Sequence, residues 1–207
     1  MKLRQHATIA LTAVTSLVTF LIWATGNLQW ASTAMGFIPI RISGLVIAPA
    51  VAAWLTPLTA TLVHAGFFHL AMNVLMLVFC GRQVENVLGP VPLILLYLVG
   101  AFAAAAGQYA LDPLSIVPMI GASGAVSALV GAYAVSFGHP KQIVASHRVN
   151  RWLNIAWLLA AWIVLQLMVG YLGGQQGVMV AIGAHVGGFV AGVLLQRPLL
   201  LWRYRRA

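Results

Sequence analysis

The sequence predicts an all-α, polytopic membrane protein in which six transmembrane helices form one bundle. Composition is the first sign: of 207 residues, 62% are hydrophobic and only 6% charged, too little polar surface to clothe a soluble globule. Segment length is the second, because six apolar stretches approach the roughly 20 helical residues that cross about 30 Å of hydrocarbon. They lie at about 8–25, 67–81, 91–110, 121–137, 152–172 and 178–197. The third is charge placement. With the N-terminus on the cytoplasmic side, the N-terminal tail, the loops near 82–90 and 138–151 and the C-terminal tail carry ten of the eleven basic residues, leaving only Arg41 outside.

The first stretch has a basic start and an apolar run, but the run is long and no Ala-x-Ala site follows it, so it reads as a retained span rather than a signal peptide. Residues 26–57 form the longest outer loop. It is apolar, with Gly36-Phe37-Ile38-Pro39-Ile40 and Leu45-Val46-Ile47-Ala48-Pro49, and is expected to lie in the membrane interface. The second span carries His69 and Asn73 on one face and ends near Cys80, whose solitude excludes an intrachain disulfide. Pro90 and Pro92 flank the start of the third, where proline is tolerated. In the fourth, Ser123, Ser127 and Gly131 at i, i+4, i+8 make one face small. The fifth presents Trp157, Trp162 and Leu165, read either as a lateral gate or as lipid-facing bulk. Gly173-Gly174-Gln175-Gln176-Gly177 then forms a lid or a plain tight turn. The sixth span offers Gly183 with Gly187, and Gly188 with Gly192, at the spacing that lets helix backbones approach closely.

A net charge of +9 needs no nucleic-acid partner, since the cations flank spans and meet anionic lipid headgroups. The functional signal lies in the polar residues placed in hydrocarbon: His69, Asn73, Ser123, Gln166 and His185. Spans two, four and six run in the same direction, which sets His69, Asn73, Ser123 and His185 in the outer half, with His185 about 10 Å down its helix. A serine hydroxyl becomes nucleophilic when a base takes its proton, and a neutral imidazole suits that task near pH 7. The chain has two acids, Glu85 on the cytoplasmic side and Asp112 in the outer loop before span four, to which no motif points, so a Ser-His dyad is the simpler reading. The first turn of the fourth helix has free backbone N–H groups at its positive end, a natural oxyanion site beside Ser123. His69 and Asn73 could add side-chain donors. His64 is expected to order the outer end of span two, and Gln166 to make an interhelical hydrogen bond.

Gly121-Ala122-Ser123-Gly124, Ala184-His185-Val186-Gly187-Gly188 with Gly192, His69 and Asn73 preceded by His64, and Gly81-Arg82-Gln83-Val84-Glu85 with Gly89 occur in the order found in rhomboid intramembrane serine proteases, which the chain resembles over about residues 57–196. The resemblance implies a single six-span membrane domain over 1–207 and hydrolysis of peptide bonds in transmembrane segments of protein substrates. By position, Ser123 would be the nucleophile, His185 the general base and then acid, and His69 and Asn73 oxyanion-hole side chains. It implies no metal and no cofactor. The Trp-Arg pair often seen in the first outer loop is reduced to Arg41, and Ser127 stands where some relatives carry an aromatic that packs on the catalytic imidazole. The expected location is a bacterial inner (plasma) membrane, with both termini cytoplasmic. Two other readings are a catalytically silent rhomboid-like protein that binds membrane clients, opposed by retention of both Ser123 and His185, and a six-span transporter, for which neither internal repeats nor paired broken helices appear.

Overall fold

The computed structural model describes residues 6–44, 50–138, 142–172 and 181–205, leaving side chains 169, 170 and 172 aside. It is all helical. In order come α1 (His6–Ala24), α2 (Leu28–Met35), the one-turn α3 (Thr56–Thr59), α4 (Phe67–Leu88), α5 (Pro90–Leu111), α6 (Ser123–Phe137), α7 (His147–Leu172) and α8 (Ile182–Tyr204), with 3-10 turns at Pro39–Ser43, Ala53–Leu55 and Ala60–Leu62. Five helices, α1, α4, α5, α7 and α8, are long and apolar enough to cross a membrane, and this is an integral membrane protein. The sixth, α6, has 15 residues. At 1.5 Å per residue it is about 22 Å long, short of a hydrocarbon layer of about 30 Å.

The short helix is the core. Eleven of its 15 residues are buried, Ser123 through Ala132 without a break and then Ala134, because α4, α5 and α8 enclose it and α7 touches it. Helix α1, packed against α4 and α5, turns small residues inward and large ones outward. The buried face of α1 is Ala7, Thr8, Thr15 and Thr19, whereas Ile9, Leu17, Phe20 and Leu21 are exposed. Lipid is as apolar as leucine, so helices here associate through close packing and hydrogen bonds rather than by hiding apolar area.

The paired glycines of α8 serve two different neighbours. A Cβ on Gly183 would meet the Gly107 carbonyl oxygen at 2.6 Å, and one on Gly187 would collide with the Ala103 carbonyl, both on α5. Five positions further on, about 140° around the helix, Cβ atoms on Gly188 and Gly192 would run into the carbonyls of Gly124 and Ala128 on α6. One helix thus fits closely into the angle between two others.

Several boundaries differ from the sequence reading; the fifth span, for one, begins at His147 rather than 152, inside the stretch read as the 138–151 loop. The second span does not stop at 81, and no loop occupies 82–90. Helix α4 continues to Leu88 because Gly81, Val84, Glu85 and Leu88 keep an inward stripe while Arg82 and Gln83 face out. Gly89, at φ +85°, is the whole connection before Pro90 opens α5. The sixth span runs past 197 and through Pro198 to Tyr204. There Arg203 Nη1 donates to the Asn86 and Val87 carbonyls at 3.0 and 2.6 Å, satisfying the end of α4. Lastly, α8 begins at Ile182, so His185 lies in its first turn and not about 10 Å along it.

Glu85 acquires a role the sequence did not reveal. Its carboxylate accepts Ala7 N–H at 3.0 Å, Thr8 N–H at 2.9 Å and the Thr8 hydroxyl at 2.6 Å. A buried anion therefore caps the positive end of α1, while Thr8 sits against Gly81 where the two helices cross.

Candidate active site

Ser123 is the first residue of α6 and His185 the fourth of α8. Their backbones are close because Gly188, one turn beyond His185, lies on the Gly124 carbonyl. Ser123 Oγ and His185 Nε2 are 2.8 Å apart, with the two residues 8% and 3% exposed. For neutral imidazole, Nε2 accepts the serine proton and Nδ1 carries its own hydrogen. That Nδ1 is buried and has no hydrogen-bond partner. No carboxylate stands among the described residues of the cavity wall. Glu85 is engaged on α1, and Asp112 N–H closes α5 on the Gln108 carbonyl.

Ser123 opens into a cavity of about 140 Å³, enough for several waters. Its wall includes His69, Gln108, Met119, Gly121, Gln166 and His185. The segment ahead of α6 roofs it by pairing with the first loop: Phe37 and Met119 exchange backbone hydrogen bonds at 3.0 and 2.8 Å, and Gly121 N–H reaches the Ala60 carbonyl at 2.9 Å.

Both glycines around Ser123 have steric causes. Gly121 adopts φ +108°, and a Cβ there would lie 2.5 Å from His69 Nε2. Gly124 faces Ala104 of α5, whose Cβ would stand 2.5 Å from an added one. Helix start, imidazole and α5 are thereby drawn together around one hydroxyl.

His64 locks this end. Its Nε2 accepts Ala122 N–H at 3.2 Å, which leaves the ring hydrogen on Nδ1, donated to Thr19 Oγ1 at 3.0 Å. Thr19 passes its own proton to the Leu62 carbonyl at 3.0 Å, and the His64 carbonyl accepts the Trp23 indole N–H at 2.9 Å. The residue read as ordering the outer end of span two thus ties α1 directly to the backbone beside Ser123.

His69 and Asn73 part company. His69 reaches the cavity wall beside Gly121, edge-on to His64 at 5.0 Å between ring centroids. Asn73 sits one turn deeper, 1% exposed, with Nδ2 donating to the His69 carbonyl at 2.8 Å and Oδ1 unpartnered. Its second amide hydrogen remains available.

Trp157 and Trp162 of span five do not share a face. Trp157 is 69% exposed on the outer side of the bundle, whereas Trp162 is 3% exposed and turned inward. Gln166, one turn on, places Nε2 3.4 Å from His185 Nε2, the interhelical contact expected of it. What the sequence missed is that this contact falls on the proposed base. The 7- and 4-residue steps from Ile155 to Trp162 to Gln166, all buried, are the signal that marks the inward stripe of α7. Arg41 is buried too, its Nη2 donating to the Val51 carbonyl at 2.6 Å. The 173–177 stretch lies outside the described residues.

Residues 51–202 match the Rhomboid domain family. Similar proteins include the mouse Rhomboid-related protein 2, 31% identical over 133 residues, which are 64% of this chain and 43% of that one. The Putative rhomboid protease YdcA of Bacillus subtilis is 33% identical over 92 residues, 44% of this chain and 46% of its own. Rhomboid protease GluP of the same organism is 28% identical over 146 residues, 70% of this chain and 27% of its own. The aligned part thus covers less than half the length of these curated relatives.

Proposed function

The chain belongs to the rhomboid family, and on that premise we propose that it is an intramembrane serine endopeptidase cutting transmembrane segments of membrane proteins. The observation that carries the reading is the 2.8 Å approach of Ser123 Oγ to His185 Nε2 beside a cavity large enough for several waters. His185 Nε2 takes the hydroxyl proton as Oγ bonds to the scissile carbonyl carbon, whose oxygen becomes an oxyanion. The N–H groups at the start of α6, the His69 ring and the free Asn73 amide hydrogen are the donors for that charge. His185 then gives its proton to the leaving amine nitrogen, the C–N bond breaks, and an acyl group remains on Ser123. A water from the cavity, deprotonated by the same nitrogen, attacks this ester; the bond from the acyl carbon to Oγ breaks, His185 returns the proton to Oγ, and the carboxylic acid product leaves.

All six long segments belong to one membrane domain in this reading, α6 crossing as the short, enclosed member. The Ser123 end faces outward and both termini are cytoplasmic, in a bacterial inner membrane, with the first loop resting in the interface. Because α6 starts below full membrane height, the dyad is recessed and the cavity hydrates it. A substrate helix must unwind there to offer a carbonyl, which weak helix formers such as Gly or Pro make easier. The test is cleavage of a transmembrane substrate by the protein in liposomes. Ser123→Ala and His185→Ala are each expected to abolish cleavage while inserting normally, and wild-type turnover by either would refute the dyad.

A further inference from the structure

The dyad lacks any group that holds the imidazole from its far side, because His185 Nδ1 is buried and unpartnered. Something else must keep the ring aligned, and α7 supplies it. The Trp162 indole N–H donates to Ser127 Oγ at 2.7 Å, and the Ser127 hydroxyl donates to the Ser123 carbonyl at 2.7 Å. One hydroxyl, wholly buried, thus joins the fifth span to the backbone of the proposed nucleophile. The Trp162 ring stands edge-on to His185, 6.3 Å between centroids at 67°.

Ser127 is wholly buried where α6 meets α8. A Cβ on Gly188 would lie 3.1 Å from Ser127 Cβ, so α8 packs closely on α6 beside this hydroxyl. The aromatic neighbour of the imidazole comes from α7, and the Ser127 hydroxyl receives its N–H. Helix α7 otherwise has little hold on the bundle: only Asn150, Ile155, Trp162 and Gln166 are buried among its described side chains, while Trp152, Trp157, Val164 and Met168 are exposed.

We propose that Trp162 and Ser127 are a positioning pair, which aligns Ser123 and His185 only when α7 is seated against α6. The pairing rests on the hydrolase reading above. Neither residue touches substrate; each acts through the dyad. Seating of the fifth span is thereby coupled to reactivity of the hydroxyl and not merely to access.

The experiment measures the rate of Ser123 modification by a small fluorophosphonate, taken as a rate constant per reactive molecule so that a misfolded fraction does not enter. Trp162→Phe keeps the ring and removes the N–H; Ser127→Ala removes the hydroxyl. Each is expected to lower the limiting rate about tenfold, the worth of one neutral hydrogen bond, with half-saturating probe concentration unchanged. The double variant should be no slower than the slower single one, since both break the same link. Trp157→Phe, on the exposed face, should react as wild type. A wild-type limiting rate in Trp162→Phe, or losses that multiply in the double variant, would overturn the pairing. Should Ser127→Ala fail to fold, Trp162→Phe alone decides by the same criterion. Failure of wild-type Ser123 to react at all would instead overturn the hydrolase reading beneath it.

Discussion

Replacing Gly188 with alanine tests how the fold builds the dyad. The added methyl would run into the Gly124 carbonyl and lie 3.1 Å from both the Gly124 carbonyl carbon and Ser127 Cβ. Carbon rests at about 3.5–4.0 Å from carbon and about 3.3 Å from a carbonyl oxygen, so α8 must retreat from α6 by about 1 Å. His185 is one turn away on the same helix, and its 2.8 Å hydrogen bond to Ser123 would stretch accordingly. A displacement of that size lowers reactivity on the order of 10–100-fold, and overpacking destabilises by about 1–3 kcal/mol. The assay pairs the fluorophosphonate rate constant at Ser123 with thermal unfolding in detergent. Val190→Ala, on an exposed face of the same helix, serves as control and should change neither. A Gly188→Ala protein that melts earlier yet reacts at the wild-type rate would refute the claim that this helix contact sets the dyad.

Further outcomes follow from other contacts. Asn73→Ala should lower kcat by about 10²–10³-fold with little change in KM, because an oxyanion donor acts chiefly in the transition state; a change in KM alone would remove that role. Glu85→Ala unpairs Ala7 N–H, Thr8 N–H and the Thr8 hydroxyl at the start of α1. Loss of such charge-assisted bonds should cost about 3 kcal/mol or more, read as earlier unfolding, while the folded fraction keeps its Ser123 reactivity. Gly121→Ala combines an unfavourable φ of +108° with a clash on His69, and should reduce both stability and turnover.

Much of this architecture is legible from residue type alone, because a membrane span must be long, apolar and free of unpaired polar groups. His69, Ser123 and His185 stood out as polar residues in hydrocarbon, and all three line one cavity. The glycines at 183, 187, 188 and 192 announced close helix contacts, though not that the two pairs face different partners. Helix ends were harder to read. Arg82 and Gln83 resemble a loop when counted by polarity, and only their position on the outward side of α4 explains why the helix continues. Pairings between distant segments left no local trace at all. Nothing around Glu85 indicates that it meets the start of α1, 77 residues away, and nothing around His64 indicates that its ring receives Ala122 N–H. Trp162 looked like the exposed Trp157 because both lie in one apolar run, and their opposite fates depend on a serine of another helix.

The most direct test is to treat the purified protein with a fluorophosphonate probe and map the modified residue by mass spectrometry, with His185→Ala alongside. The account predicts a single adduct on Ser123 Oγ in the wild-type chain and none in the variant. An adduct on a different residue, or undiminished labelling of Ser123 without the imidazole, would contradict it.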